Sequence, residues 1–267
     1  MSIGLLLSSR WEISSIIALK CYVLMVSITI FVYTLNDVMD ADLDKFSPNK
    51  SKRPIPLGLM TKRQGILLGI VFGVLGVVLS LTINLLVTVL VFIFMGLGFF
   101  YSVPPIRLKR RFLMKETTLT TLFIISILIG SAAVGRIPSS LFLPIFFFVL
   151  SVMTVQPAFY DIQDVNEDRL GGCKTIAMIL NQRRRLELAT SGLLGVMITT
   201  TLSYGYFGFN VICPILTVFG CLLFLRYIFP LMMKTGEEYE VEVIEKIARI
   251  GMIVAFIIPL GFMLGSL

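Results

Sequence analysis

The chain has 267 residues, of which 57% are hydrophobic and 15% charged, with a formal net charge of +7 and a mean hydropathy of +0.93. Soluble domains carry ~25% charged residues, so this composition excludes a water-soluble enzyme, a disordered chain and a secreted disulfide scaffold. The absence of histidine excludes His-based acid–base catalysis, haem ligation through His and His-rich metal sites. The cysteines Cys21, Cys173, Cys213 and Cys221 are scattered without a CxxC, which suggests no disulfide or zinc framework.

At ~20 residues per transmembrane helix plus loops, the length allows roughly eight or nine spans. Residues 1–12 hold an apolar run too short to cross a bilayer. Arg10 and Trp11 follow it with no small-residue cleavage site, so it does not read as a signal peptide. Apolar stretches then predict eight spans, at 14–36, 64–81, 84–102, 117–135, 139–160, 186–206, 211–231 and 247–266. Every second connection is basic. Segments 37–63, 103–116, 161–185 and 232–249 hold 19 of the 23 Lys and Arg residues, whereas the opposite connections hold only Arg136. The positive-inside rule puts the basic loops in the cytoplasm and the N-terminus outside. The basic excess therefore reads as loops beside anionic lipid rather than as a nucleic-acid surface.

Fifteen of the 16 acidic residues lie on that same side, Glu12 being the exception. Topology does not require this. Asn36-Asp37-Val38-Met39-Asp40-Ala41-Asp42-Leu43-Asp44 ends the first span. If the helix continues, Asn36, Asp40 and Asp44 fall at i, i+4 and i+8 on one face. Stacked like charges repel, and aspartates at a helix C-terminus oppose the macrodipole, so the stripe calls for a counter-cation. A second cluster, Asp161-Ile162-Gln163-Asp164-Val165-Asn166-Glu167-Asp168, ends the fifth span, with Asp161, Asp164 and Asp168 at i, i+3 and i+7. Carboxylate oxygens with open positions suit Mg²⁺, which binds through one or two carboxylates, waters and substrate phosphates. Two facing clusters would clamp a diphosphate through bridging metals. Arg53 follows the first cluster, and Arg169 and Lys174 follow the second, within reach of the same phosphates. A solvated helix end explains one such cluster; two at equivalent depth on one face argue for a site.

These blocks resemble the UbiA superfamily of intramembrane prenyltransferases. Asn36-Asp37-x-x-Asp40-x-x-x-Asp44 is similar to its first aspartate-rich motif, and Arg53-Pro54-Ile55-Pro56-x-Gly58 to the stretch that often follows. Tyr101-Ser102-Val103-Pro104-Pro105-Ile106-Arg107-Leu108-Lys109 is similar to a segment of the next cytoplasmic loop. Asp161-x-x-Asp164-x-x-x-Asp168 with Gly172-Cys173-Lys174-Thr175 is similar to the second motif. The resemblance, which runs from about residue 20 to the end, implies one all-α membrane domain over 1–267. Its helices, nine in the family and eight here, would surround a central cavity under cytoplasmic cap loops. The absent helix is the first, so the chain reads as shortened at its start or as carrying residues 1–12 as a stub.

The resemblance further implies an Mg²⁺-dependent transfer of an isoprenyl group from a prenyl diphosphate to a lipophilic acceptor, through an allylic carbocation, with release of pyrophosphate. It gives Asn36, Asp40 and Asp44 as ligands of one metal ion, Asp161, Asp164 and Asp168 as ligands of another or as groups that position the acceptor, and Asp37, Asp40, Asp164 and Asp168 as catalytic. Arg53, Tyr101, Arg107, Lys109 and Lys174 would bind substrate. Some members carry YxxxK in the middle loop; here Pro105 stands four after Tyr101 and the nearest lysine is Lys109. The motif forms look most like members that build an ether lipid on geranylgeranylglyceryl phosphate; an aromatic quinone precursor and chlorophyll-type prenylation are the other acceptor classes. The competing readings are a transporter of cations or phosphorylated metabolites, since transporters also use intramembrane carboxylates, and a shortened inactive homologue. Against the transporter, the aspartates end spans at one face, and no paired broken helices are visible.

Gly69, Gly73 and Gly76 predict close helix packing. Phe99-Phe100 and Phe146-Phe147-Phe148 read as packing or lipid-facing rings before they read as a prenyl tunnel. Arg226 is expected to snorkel, and the acidic run Glu237–Glu245 to form a solvated loop helix.

Overall fold

The computed structural model describes residues 1–45, 50–165, 169, 172–233 and 241–267. Among these, eight helices are long and apolar enough to cross a membrane. Their outward faces are apolar, with Leu202 at 81% and Phe256 at 78% exposure, a surface that water would not tolerate and lipid does. The eight observed spans follow the predicted ones within a few residues, apart from one extension described below. The chain divides into two compact units, Met1–Ile137 with Asn166–Lys174, and Pro138–Val165 with Thr175–Leu267.

In the first unit, α1 (Ser2–Ser9) is short, and four long helices follow: α2 (Ser15–Asp44), α3 (Lys62–Leu81), α4 (Leu85–Ser102) and α5 (Met114–Ala133). Caps set two of the starts. Thr61 accepts from the Gln64 backbone N–H at 3.2 Å while the Gln64 side chain accepts from the Thr61 N–H at 2.9 Å, a reciprocal capping box. Asn84 accepts from the Val87 N–H at 2.9 Å and donates to the Ala132 carbonyl at 2.8 Å, tying the start of α4 to the end of α5. The glycine stripe of α3 lies against α2. A Cβ on Gly76 would stand 2.6 Å from Ile28 Cγ2, and one on Gly65 2.7 Å from Val38 Cγ2, so neither position tolerates a side chain without α2 moving. The short helix α1 packs on α5 in the same way. Cβ atoms on Gly4 and Gly130 would collide with the facing backbone, and Ser8 and Ser131 share a hydrogen bond of 2.6 Å. Leu5, Leu24, Ile28, Val91, Phe94 and Ile129 form the core between these helices. This packing fixes α2 along its length, and α2 runs eight residues beyond the apolar stretch 14–36, through Asp44.

In the second unit, one span is composite. Residues Phe142–Leu150 form α6, Ser151–Val155 a π turn, and Gln156–Phe159 the short α7. Pro157 has no N–H for the carbonyl four residues back, and the chain widens just before it. Gly192 packs against Thr154 within that wide turn. After α8 (Ile176–Ile179) come α9 (Gln182–Ser203), α10 (Ile212–Met233) and α11 (Val241–Gly265). Gly220 against Ile258 and Gly261 against Leu216 bring α10 and α11 together. Tyr160 donates from its hydroxyl to the Ala248 carbonyl at 2.9 Å, fastening the end of α7 to α11.

Of the aromatic runs, one packs inside the protein and the other faces outward. Phe147 is buried against Phe148 and Phe262, Phe142 stacks on Phe146 and Phe207, and Phe99 and Phe100 are exposed. The four cysteines are free and buried, and Arg226 is exposed. Glu237, Glu238 and Glu240 lie outside the described residues, as do the side chains of Glu242 and Glu245.

Candidate active site

The unbroken C-terminal turns of α2 place Asn36, Asp40 and Asp44 along one stripe, with Asp37 beside it. Asp42 points the other way; it is 73% exposed and meets Lys62 Nζ at 2.7 Å. Each carboxylate of the stripe side is held by a cation from a later segment. Arg53 Nη1 donates to Asp37 Oδ1 at 2.7 Å and to Asp44 Oδ2 at 3.0 Å. Arg107 Nη2 donates to Asp40 Oδ1 at 2.7 Å. Lys109 Nζ donates to Asp40 Oδ2 and, at 2.8 Å, to Asn36 Oδ1. Three carboxylates thus meet three cations directly, and Lys50 adds a further positive charge that acts on Asp37 and Asp44. This is the counter-charge that the stacked aspartates require, drawn from the protein itself.

The loop after α4 delivers two of those cations. Arg107 adopts a left-handed backbone conformation, and residues Leu108–Arg110 form a single 3₁₀ turn that carries Lys109 back over α2. Ser102, at the end of α4, donates to Asn36 Oδ1 at 3.1 Å. Lys109 is 9% exposed and lies 5.8 Å from the centre of the Tyr101 ring, within cation–π range. Burial pushes its ammonium below the ordinary lysine range, and the facing Asp40 carboxylate pulls it back up. Cys173 also acts on Lys109 electrostatically, which brings the segment before Lys174 to the neighbourhood of the cluster. Lys174 itself is exposed. Arg107 is nearly buried, at 12% side-chain exposure. Its Nε has no hydrogen-bond partner among the described residues, an arrangement that a native structure keeps only for a reason.

The second cluster is built differently from the expectation. The helix ends at Phe159, and Asp161–Asp164 is a 3₁₀ turn rather than a continued α-helix. With three residues per turn, positions 161 and 164 still fall on one side of it. Asp161 is buried, and its Oδ1 accepts from Gln156 Nε2 at 3.3 Å. The side chain of Asp164, and Asp168 entirely, lie outside the described residues. Among the described residues, no three His, Cys, Asp or Glu side chains converge closely enough to hold a metal ion.

Sequence reading missed three residues here. Ser102 and Gln156 are neutral donors whose partners are set by tertiary approach alone. Glu116 is fully buried in the first turn of α5, where the helix dipole favours a carboxylate; the only sequence signal was an acid at the mouth of an apolar span.

The chain matches the model of the UbiA prenyltransferase family over residues 1–239. No curated protein matches it. Among solved structures it resembles the apo form of a UbiA homologue from Aeropyrum pernix K1, at TM-score 0.79 and 17% identity, covering 99% of this chain and 94% of that one. A structure of digeranylgeranylglyceryl phosphate synthase gives TM-score 0.76 and 22% identity, over 99% and 91%. A UbiA homologue from Archaeoglobus fulgidus bound to GPP and Mg²⁺ gives 0.67 and 18%, over 99% and 96%. At these identities the likeness is one of fold. It joins the family match in setting the transporter reading aside: the chain is an integral, multi-pass membrane protein, and it belongs to the UbiA prenyltransferase family.

Proposed function

We propose that this chain transfers an isoprenyl group from a prenyl diphosphate to a lipophilic acceptor at the cytoplasmic face of the membrane, with geranylgeranylglyceryl phosphate as the first acceptor to test and an aromatic quinone precursor as the second. One observation carries the reading: Arg53, Arg107 and Lys109 converge on the aspartates of α2, and Arg107 keeps a buried Nε that no group of the described chain satisfies. A planar guanidinium with an N–H to spare suits a diphosphate oxygen. The cytoplasmic placement rests on the basic loops.

The donor set of the first cluster fits Mg²⁺ in kind. Its groups are carboxylates and an amide oxygen, the ligands that Mg²⁺ takes, and a single ammonium already bridges Asn36 Oδ1 and Asp40 Oδ2, so these oxygens converge on one cation. Asn36, Asp40 and Asp44 would hold one ion, and Asp161, Asp164 and Asp168 are the second carboxylate set. Bound Mg²⁺ would neutralise the charge that builds on the departing diphosphate. The chain's own cations act on the same charge. Arg53, Arg107, Lys109 and the exposed Lys174 bind diphosphate oxygens, with Tyr101 flanking Lys109, and Asp37 holds Arg53 in place. The allylic C–O bond breaks, its electron pair leaves with the pyrophosphate, and an acceptor nucleophile bonds to the allylic carbon and gives up its proton.

The test is a panel of acceptors offered to the full chain in nanodiscs with geranylgeranyl or farnesyl diphosphate and Mg²⁺, with products read by mass spectrometry. A prenylated glycerophosphate, lost in Asp164→Ala, is the expected result. A prenylated aromatic would move the acceptor assignment. No product from any pair, or full turnover in the variant, would overturn the reading.

A further inference from the structure

Asn36 Oδ1 and Asp40 Oδ2 are two oxygens that the reading above gives to a divalent ion, and both are taken by Lys109 Nζ. This ammonium is no surface charge resting on a carboxylate. It is 9% exposed, walled on one side by the Tyr101 ring, and held over α2 by a one-turn 3₁₀ segment. Ser102 donates to the same Asn36 oxygen, so the amide faces the ammonium in a fixed orientation. The geometry points to Lys109 as a tethered counter-cation seated where a metal would sit, which yields that seat when a diphosphate offers the ammonium other oxygens. A divalent ion and the diphosphate then bind together rather than in either order.

The physical argument is one of charge. With Lys109 seated, the three carboxylates are already paired with three cations, Lys50 adds positive charge acting on Asp37 and Asp44, and a divalent ion entering alone meets no net negative charge and a resident ammonium. A diphosphate changes both terms. It brings negative charge, and its oxygens accept from Lys109 and from the spare Arg107 Nε. Binding of either ligand favours the other, and the coupling is reciprocal. The lysine's stem is flexible and its charge compact, which suits it to move while Arg53 and Arg107 keep the stripe in place. The inference rests on the diphosphate reading, and its test separates the two.

The experiment is Mn²⁺ binding to the purified full chain in detergent, read from the free-ion signal in electron paramagnetic resonance, with and without inorganic pyrophosphate. The wild type is expected to bind Mn²⁺ weakly alone and at least about tenfold more tightly with pyrophosphate. Lys109→Met is expected to bind Mn²⁺ alone about tenfold more tightly than the wild type, and to lose most of the pyrophosphate effect. Lys109→Arg, which keeps the charge, should stay within about threefold of the wild type. If Lys109→Met bound Mn²⁺ no more tightly than the wild type while pyrophosphate still strengthened binding, the exchange would be wrong and the diphosphate reading would stand. If Lys109→Arg tightened binding as much as Lys109→Met, altered packing rather than charge would be the cause, and the exchange would also fall. If Mn²⁺ bound neither protein under either condition, the metal-dependent reading would fail and the exchange with it.

Discussion

The first acidic cluster rides on an unbroken α-helix, while the second begins where a helix has given way to a π turn, a proline and a 3₁₀ turn. The difference shows in what holds each carboxylate. On α2 the 3.6-residue repeat stacks Asn36, Asp40 and Asp44 in one line, and ionised neighbours at that spacing are costly, so Arg53, Arg107 and Lys109 are brought in from two later segments. At the end of α7, the buried Asp161 accepts from the neutral amide of Gln156, five residues before it. A regular helix concentrates charge and imports its balance, whereas at the irregular end a near neighbour in sequence reaches the carboxylate. The same residue type is thus assembled into two kinds of anionic surface.

That contrast can be broken at four points. The largest effect belongs to Asp40→Ala, which strands Arg107 and Lys109, both nearly buried. Removing one partner of a buried ion network costs about 3–5 kcal/mol, to be read as lost resistance to unfolding in detergent; stability equal to the wild type would mean the cations find water. Next is Gly76→Leu, whose Cβ meets Ile28 at 2.6 Å and pries α3 from the helix that carries the stripe. Overpacking of this kind costs about 1–3 kcal/mol. Gly96→Ala, facing open space on α4, should instead gain up to about 1 kcal/mol from helix propensity, and equal losses at both positions would refute the seam. Third, Gln156→Leu removes a long hydrogen bond to Asp161; kcat/KM for prenyl transfer should fall about tenfold, whereas an unchanged rate would detach the second cluster from the reaction. The smallest is Asp42→Asn, on the exposed side of α2. Exposed ion pairs contribute little, and transfer should not change measurably.

The spans were legible because hydropathy reports burial in lipid directly, and α2, α3 and α4 begin or end within about two residues of the apolar stretches. The extension of α2 to Asp44 was legible too, since only a continued helix gives the i, i+4, i+8 spacing a meaning. The end of α7 was not. Hydropathy does not distinguish α from π or 3₁₀ geometry, and Pro157 alone does not say on which side the helix gives way. The cations were legible as residues and not as contacts. Arg53 and Lys109 were read as phosphate ligands, but in the fold they answer the nearest carboxylates, Asp37, Asp44 and Asp40. Ser102 and Glu116 left almost no trace, because a serine beside an aromatic and an acid beside a lysine are ordinary until tertiary packing buries them.

The central claim is that the stripe on α2 is where the prenyl diphosphate is ionised. The most direct measurement is pyrophosphate release from geranylgeranyl diphosphate by the wild type and by Asp40→Asn, with the acceptor that the panel above yields and Mg²⁺ both present. The substitution keeps the shape of the side chain and removes its charge. Loss of one preorganised electrostatic group lowers turnover by about a hundredfold or more, and that is the predicted result. Release at the wild-type rate would contradict it, and would move the chemistry away from α2 altogether.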